Sequence, residues 1–280
     1  MAAMGKRERF HRAAEALGCL RCPVCGGPLE RRGDDLACPA GHTVNVNRKG
    51  CINVLSRQAE GCYNAELFAA RSRVLASGCY EPVARAIEAC LPEGEQRLLD
   101  AGCGEGWYLN RLLTAHPGRQ GIGVDISRDA ILRATDQPCG AVWCVADLRR
   151  LPVADSSLTA VLDILTPAAY DEFARVLAPE GVLIKVYPGR EYLRELREAR
   201  SLPLYEDGAV DAYLREKAQL LRQERVTVKQ PVDAALWEAF VRMTPLNQDL
   251  PEEEKRRIAA SPAEAVTLDL HIACARLRKI

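Results

Sequence analysis

The stretch that decides the fold is RLLDAGCGEGWYLN, residues 97–110. A short apolar run ends in Asp100 and is followed by Gly102, Gly104 and Gly106, where a helix is predicted to begin. Glycines at this spacing permit a tight turn between a strand and a helix, and they let a ligand approach the backbone closely. The spacing differs from the Gly-x-Gly-x-x-Gly of dinucleotide-binding turns, so no pyrophosphate need be bound here.

Two further predicted strands downstream also end in an acid. Gln120–Asp125 ends in Asp125, and the apolar run 142–147 ends in Asp147. A strand at 158–165, a helix at 168–177, a turn at 178–181 and a strand at 182–187 follow. This alternation predicts an α/β fold, a doubly wound parallel sheet that binds ligands at the carboxyl ends of its strands. The apolar segments 226–228 and 266–273 can add strands at one edge.

Length and composition narrow the function classes. A chain of 280 residues has room for one large domain and a small one. No apolar run is long enough for a membrane span, and the N-terminus lacks a signal-peptide pattern, so we expect a cytoplasmic protein. Twelve cysteines in that compartment are not expected to form disulfides. The first 50 residues carry nine basic and five acidic residues, which indicates either contact with a polyanion or an ordinary solvated face.

Four of the cysteine and histidine side chains have the spacing of a zinc site. They are Cys22, Cys25, Cys38 and His42, two pairs separated by twelve residues, and a hairpin centred on residues 33–34 would join the two pairs. A site with four protein ligands has no open position, so the zinc is predicted to be structural rather than catalytic. A redox role would need a neighbouring βαβ pattern, which this region lacks. Cys19 forms a second Cys-x-x-Cys pair with Cys22 and is the alternative ligand.

The glycine turn and its preceding acid resemble motif I of class I S-adenosylmethionine-dependent methyltransferases. With the zinc ribbon added, the chain from the ribbon almost to the C-terminus resembles the bacterial 23S ribosomal RNA guanine-N1 methyltransferases. The matching stretches are CPVC to CPAGH (22–42), KGCINVL (49–55), the helix at 65–71, SGCYEP (77–82), DAGCGEGWY (100–108), TP (166–167), PG (188–189), YLREL (192–196) and MTP (243–245).

The resemblance implies a cofactor, a substrate and a set of site residues. The cofactor is S-adenosylmethionine, whose ribose hydroxyls would meet Asp125 and whose adenine amino group would meet Asp147. The ribbon is expected to help recognise a 23S rRNA hairpin, the edge of the sheet to be partly antiparallel, and the protein to form a homodimer. The implied cofactor contacts are Tyr80, Asp100, Gly102, Gly104, Gly106, Tyr108, Leu109, Asp125, Asp147 and Tyr192, the last of which replaces a family histidine. Tyr108 and Leu109 also lie in the first helical turn, where backbone N–H groups are free.

Transfer to guanine N1 requires an acceptor for the N1 proton. Asp163, at the end of the fourth strand and just before Thr166-Pro167, is the candidate base; the alternative is a strand-end acid that orients a loop. Basic residues of the N-terminal region are candidate phosphate contacts or ordinary surface charges. They are Arg21, Arg31, Arg32, Arg48 and Lys49.

The expected organisation is a helical extension (1–18), a zinc ribbon (19–48), a linker with helices (49–92) and a methyltransferase domain (93–280). The sequence departs from the family at residues 62–64, at Tyr192 and at residues 246–247. The alternatives are therefore an enzyme of the same fold that methylates another RNA or a small molecule, and a non-catalytic protein that binds RNA and the cofactor.

Overall fold

The computed structural model describes residues 4–55, 65–206 and 208–278, so the departure at residues 62–64 lies outside the described residues. The helices are α1 (Lys6–Leu17), α2 (Ala65–Ala76), α3 (Glu81–Glu88), α4 (Trp107–Ala115), α5 (Arg128–Ala134), α6 (Tyr170–Val176), α7 (Arg194–Ala199), α8 (Gly208–Lys217), α9 (Ala234–Met243) and α10 (Glu252–Ala259), with a 3-10 turn at Pro245–Asn247. The strands are β1 (Glu30–Arg32), β2 (Asp35–Ala37), β3 (Thr43–Val44), β4 (Ile52–Asn53), β5 (Arg97–Ala101), β6 (Gln120–Asp125), β7 (Val142–Val145), β8 (Leu158–Ile164), β9 (Leu177–Pro188), β10 (Ala218–Pro231) and β11 (Ala265–Leu277).

The large sheet has eight strands in the order β10-β11-β9-β8-β5-β6-β7-β4. The six strands from β9 to β4 run parallel, and β11 and β10 join antiparallel at one edge, as expected. Its central strands are buried on both faces, which explains why they read as continuous apolar runs rather than as alternating patterns. The doubly wound α/β fold predicted from the sequence is confirmed.

Several features of the sheet differ from the prediction. The strand expected at 226–228 is part of the 14-residue β10, and the strand expected at 142–147 ends at Val145. β9 begins at Leu177 and includes the predicted turn at 178–181, because a register irregularity against β8 absorbs the bend within the strand. The short strand β4 pairs in parallel with β7 and extends the sheet by one strand. β4 is only two residues long, which is too short for its sequence to show a hydrophobic period.

The zinc ribbon forms a separate three-stranded antiparallel sheet. The predicted hairpin is present: Arg32 pairs with Asp35 across a turn at which Gly33 has φ +65°. The hairpin places the two ligand pairs at the same end of the small sheet.

Helix α1 packs between the ribbon and the large sheet. Phe10 and Leu17 are buried in one cluster with Leu36 of the ribbon and with Ile122 of β6. The helix ends at Gly18, which adopts φ +64° and donates its N–H to the Ala14 carbonyl. The N-terminal extension is thus part of the core that joins ribbon to sheet.

Among the described residues, no helix is both long enough and apolar enough to cross a membrane.

Candidate functional site

A cavity of about 690 Å³ opens at the carboxyl ends of the parallel strands. This volume lies within the range of sites for small molecules and cofactors. The loops after β5, β6 and β7 line one part of its wall, the loops after β8 and β9 line another, and α2 and the 3-10 turn after α9 complete it. The fold therefore places the cavity where open α/β sheets bind their ligands.

The glycine turn after β5 contributes Gly102 to the cavity wall, whereas Gly104 and Gly106 lie behind it. Gly102, Gly104 and Gly106 all have positive φ, between +56° and +73°. A Cβ on Gly102 would lie 2.7 Å from the Thr166 hydroxyl oxygen, and one on Gly106 would lie 2.4 Å from the Trp143 ring. Neither position has room for a side chain, so the turn remains open to a ligand that approaches its backbone.

Asp100 is almost fully buried at the start of this turn. The backbone N–H of Leu109 donates to it, yet among the described residues its Oδ2 atom has no hydrogen-bond partner. Burial raises the pKa of the carboxyl to about 7, opposed by the positive charge of Arg71. An unpaired buried carboxylate oxygen beside an open turn is suited to a cationic ligand group. The backbone N–H of Leu109, which was expected to be free for a ligand, donates instead to Asp100.

Asp125 connects the end of β6 to the glycine turn. Its Oδ2 accepts the backbone N–H of Gly104 at 2.9 Å, and its Oδ1 accepts that of Ser127 at 2.8 Å. Burial raises the pKa of this carboxyl. Each oxygen keeps a free lone pair, so the carboxylate can still accept from two hydroxyl groups of a ligand.

Asp147 lies at the cavity rim after β7 and is paired with Arg149. The guanidinium donates to Oδ2 at 2.6 Å and to Oδ1 at 3.1 Å, and this holds the pKa of Asp147 below its usual range. The side chain of Arg149 is 84% exposed. The arginine can therefore move aside when a ligand needs the carboxylate.

Three tyrosines surround the part of the cavity next to α2. The hydroxyl oxygens of Tyr80 and Tyr192 lie 3.0 Å apart, and Tyr108 lines the same wall. Burial raises the pKa of all three phenols, so they act as neutral hydrogen-bonding groups. The tyrosine that replaces the family histidine therefore keeps a hydrogen-bonding contact inside the cavity.

Arg71, on α2, is a site residue for which the sequence analysis proposed no role. Its guanidinium lies over the glycine turn, 3.2 Å from where a Cβ on Gly104 would stand. It lowers the pKa of Asp100 and of Asp125, although burial dominates both carboxyls. The available signal was an arginine among the apolar residues of FAARSRVLA (68–76), a stretch that also contains Arg73.

Asp163, the candidate base, is fully buried at the end of β8 and does not line the cavity. Its Oδ2 accepts from the Lys185 ammonium at 2.8 Å, and its Oδ1 has no partner. The two residues are opposite each other in the parallel register of β8 and β9. Burial raises the pKa of Asp163 to about 6, opposed by Lys185.

Lys185 also donates to the carbonyl oxygen of Thr166 at 2.7 Å. Thr166 lines the cavity and packs against Gly102, while Leu165 before it adopts φ +56°. A buried ion pair therefore holds a left-handed loop against the glycine turn. This is the geometry of the orienting alternative for Asp163, and it depends on Lys185, a lysine that no sequence motif singles out.

The zinc ligands converge as the spacing predicts. The ligand atoms of Cys22, Cys25, Cys38 and His42 lie within 4.8 Å of one another. Cys25 Sγ and Cys38 Sγ are 3.6 Å apart, and Cys38 Sγ is 3.4 Å from His42 Nδ1. Zn–S bonds of about 2.3 Å and Zn–N bonds of about 2.0 Å give tetrahedral edges of similar length. The cluster fits zinc, and Cys19, buried outside it, is not one of the four.

The ribbon lies against the β7–β8 connection. Arg150, next to Arg149 at the cavity rim, donates to the carbonyl oxygen of Pro23 in the first zinc turn at 2.7 Å. Of the two hairpin arginines, Arg31 is paired with Glu8 of α1 at 2.9 Å, whereas Arg32 is exposed. The first zinc turn therefore contacts Arg150, the residue that follows Arg149 at the cavity rim.

Comparison with known proteins identifies relatives over nearly the whole chain. A family model described as a methyltransferase domain matches residues 98–181. A Bacillus subtilis (strain 168) protein that carries the provisional name 23S rRNA (guanine-N(1)-)-methyltransferase YxjB is 33% identical over 273 residues, which cover 90% of this chain and 95% of that protein. The 23S rRNA (guanine(748)-N(1))-methyltransferase of Streptomyces fradiae is 33% identical over 267 residues, 90% of this chain and 94% of that protein.

A different relative matches a smaller part. A malonyl-[acyl-carrier protein] O-methyltransferase of Gallionella capsiferriformans (strain ES-2) is 32% identical over 170 residues, 55% of this chain and 56% of that protein. The shared part carries the methyltransferase fold, whose relatives differ in acceptor.

Proposed function

We propose that this chain, which belongs to the family of 23S rRNA (guanine-N1)-methyltransferases, transfers the methyl group of S-adenosylmethionine to N1 of a guanine in a 23S rRNA hairpin. The observation that carries the proposal is the extent of the similarity, 33% identity over 90% of the chain. A match of that length takes in more than the domain shared with other methyltransferases.

The residues around the glycine turn fit the cofactor of a methyltransferase. The unpaired Oδ2 of Asp100 would accept from its ammonium group, and Arg71 would pair with its carboxylate. Asp125 would accept hydrogen bonds from the ribose hydroxyls. Asp147 would accept one from the adenine amino group once Arg149 moves aside. Tyr80, Tyr192 and Tyr108 would enclose the amino-acid end.

When bound, the cofactor supplies an electrophilic methyl group on a sulfonium, so the main task of the protein is to orient the acceptor nitrogen. Effective positioning alone accounts for about 7 to 11 kcal/mol of barrier lowering in favourable cases. The loop after β8, held by Lys185 and Asp163, lies beside the glycine turn and can guide the acceptor. We assign Asp163 to orienting this loop rather than to taking the N1 proton, since its Oδ2 is paired with Lys185 and its side chain does not line the cavity. The proton that N1 loses on methylation would pass to water at the open side of the cavity.

The ribbon is proposed to read the RNA, with the zinc ion holding its shape. Its first zinc turn lies beside the cavity rim through Arg150, so an RNA strand on the ribbon can reach the cavity. Arg32 is better placed for phosphate contact than Arg31, which is engaged by Glu8. Location in the cytoplasm and assembly as a homodimer stay predictions from the sequence.

The experiment is methylation of a 23S hairpin fragment, transcribed without modifications, followed by mass spectrometry of the nucleosides. The expected product is 1-methylguanosine at one position, with Asp100→Asn as the inactive control. Methyl transfer to a small molecule or to another RNA, with none to the hairpin, would overturn the acceptor assignment. Cofactor binding without transfer to any ribosomal RNA would support the non-catalytic alternative.

A further inference from the structure

The cavity has a second part that the cofactor residues leave unused. The three acids and the glycine turn follow β5, β6 and β7, on one side of the sheet. Neighbouring strands lie about 4.8 Å apart, so the loops after β9 begin about 19 Å from the end of β7, where Asp147 lies. Of the proposed cofactor residues, Tyr192 alone comes from the segment after β9, so the rest of the cavity over β8 and β9 is left for the acceptor.

This acceptor part contains a cation and an aromatic ring in contact. The guanidinium carbon of Arg197 lies 5.7 Å from the centroid of the Tyr205 ring, and both side chains line the cavity. Arg197 projects from α7, and Tyr205 follows in the loop after that helix. Their distance is that of a cation–π pair.

The backbone holds this pair in place. Tyr205 donates its N–H to the Arg190 carbonyl at 3.1 Å, and the Arg197 side chain donates to the Pro203 carbonyl at 2.5 Å. Within residues 4–55, 65–206 and 208–278, Arg197 forms no ion pair with a carboxylate. The guanidinium can bind a negative charge, and the ring beside it can stack on a flat π-system. The pair therefore suits a single ligand that carries both.

An unstacked nucleotide is such a ligand. Enzymes that modify a base inside RNA act on bases splayed out of the stack, and proteins receive such bases on aromatic rings and guanidinium planes. Phosphate oxygens are held by arginine. We infer that Arg197 and Tyr205 form the subsite for the nucleotide that carries the acceptor guanine, with the base on the Tyr205 ring and its phosphate on Arg197. The inference rests on the proposed function and names where its substrate is held.

The test compares variants of this pair with matched controls that lie outside the cavity. The variants are Tyr205→Leu and Arg197→Gln. The controls are Tyr213→Leu, a half-exposed tyrosine on α8, and Arg194→Gln, one turn before Arg197 on α7 and paired with Glu191. Tyr205→Trp is the conservative variant, because it keeps a stacking face.

Two quantities test the subsite, and a third, the affinity for S-adenosylhomocysteine, controls for folding; all are measured on the full chain with zinc. The first is the Kd of the S-adenosylhomocysteine-loaded protein for the 23S hairpin, measured by fluorescence anisotropy at several salt concentrations. The second is kcat/KM for methylation of the same hairpin. Tyr205→Leu should raise the Kd roughly tenfold to hundredfold, and Tyr205→Trp should restore it. Arg197→Gln should reduce the slope of log Kd against log salt concentration by about one. Affinity for S-adenosylhomocysteine should stay unchanged in every variant, which reports that each has folded.

The outcomes separate this inference from the proposed function. Methylation by the wild type with equal Kd and kcat/KM in all variants would refute the subsite and leave the function intact. A second outcome is that the wild type transfers no methyl group to the hairpin, while the Tyr205 and Arg197 variants alone lose RNA affinity. That outcome would support the subsite and refute the reaction. A wild type that neither binds nor methylates the hairpin would overturn both.

Discussion

Replacing Lys185 by methionine distinguishes an orienting role for Asp163 from a role as base. The substitution keeps the length and apolar stem of the side chain but removes the ammonium that joins Asp163 to the Thr166 carbonyl. In the orienting role, the loop loses its anchor at every pH. In the base role, the methionine only removes the positive charge that lowers the pKa of Asp163.

The magnitude follows from the contact that is lost. A hydrogen bond to a charged group contributes about 1.5 to 3 kcal/mol, so kcat should fall about tenfold to hundredfold if the loop must be held for transfer. Breaking one side of a buried ion pair also costs about 3 to 5 kcal/mol of folding stability. The double variant Lys185→Met/Asp163→Leu removes both charges and should recover much of that stability without recovering kcat.

The assay is kcat for hairpin methylation between pH 6 and 9, with the melting temperature of each variant measured in parallel. Lys229→Met, an exposed lysine on β10, is the matched control. Single variants and the double variant should lose similar activity, since residues that act as a unit are not additive. The reasoning is refuted if Lys185→Met regains wild-type kcat at high pH while Asp163→Asn remains inactive, because that pattern belongs to a base whose pKa has risen.

Three further predictions concern the cofactor, the metal and the N-terminal helix. Because the pKa of Asp100 is about 7, S-adenosylmethionine should bind about tenfold more weakly for each pH unit below that value, and Asp100→Asn should bind weakly at all pH values; a pH-independent wild-type Kd in calorimetry would contradict this. Cys38→Ser should lower bound zinc below half an equivalent by metal analysis and weaken hairpin binding, while affinity for S-adenosylhomocysteine stays within about twofold; retained zinc would remove Cys38 from the ligand set. Gly50→Ala should destabilise the protein by at least about 1 to 3 kcal/mol in urea unfolding, because Gly50 has φ +79° and its Cβ would lie 2.4 Å from the Lys6 carbonyl oxygen, whereas Gly140→Ala, with open space around it, should not.

Patterns between neighbours in the sequence predicted much of the fold. The glycine turn, the end of β6 at Asp125 and the hairpin of the ribbon lie where their local signals indicated, whereas β7 ends at Val145, two residues before Asp147. Each of these signals involves residues a few positions apart within one element, where backbone geometry alone relates them. Strand ends shifted by a few residues, because pairing with a neighbouring strand decides how far a strand continues.

The cavity was only partly predictable. The strand-end acids were found because each follows its own apolar run. The positions of Arg71, Lys185, Arg197 and Tyr205 carry no such pattern, since a single arginine, lysine or tyrosine on an element is usually an ordinary surface or core residue. The roles proposed for them depend on contacts between separate elements at the cavity and beneath its β8 loop.

The sequence by itself determined the four candidate zinc ligands, the glycine turn and the order of strands and helices, because these depend on residue spacing along the chain. Tertiary structure alone decided that Asp163 faces Lys185, that α1 joins the ribbon to the sheet, and that β4 pairs with β7. Strand order and register bring together residues that are 22 positions or more apart, and no local period records which of them will touch. The acid read from sequence as a base thus lies, in the fold, beneath the loop that it helps to hold.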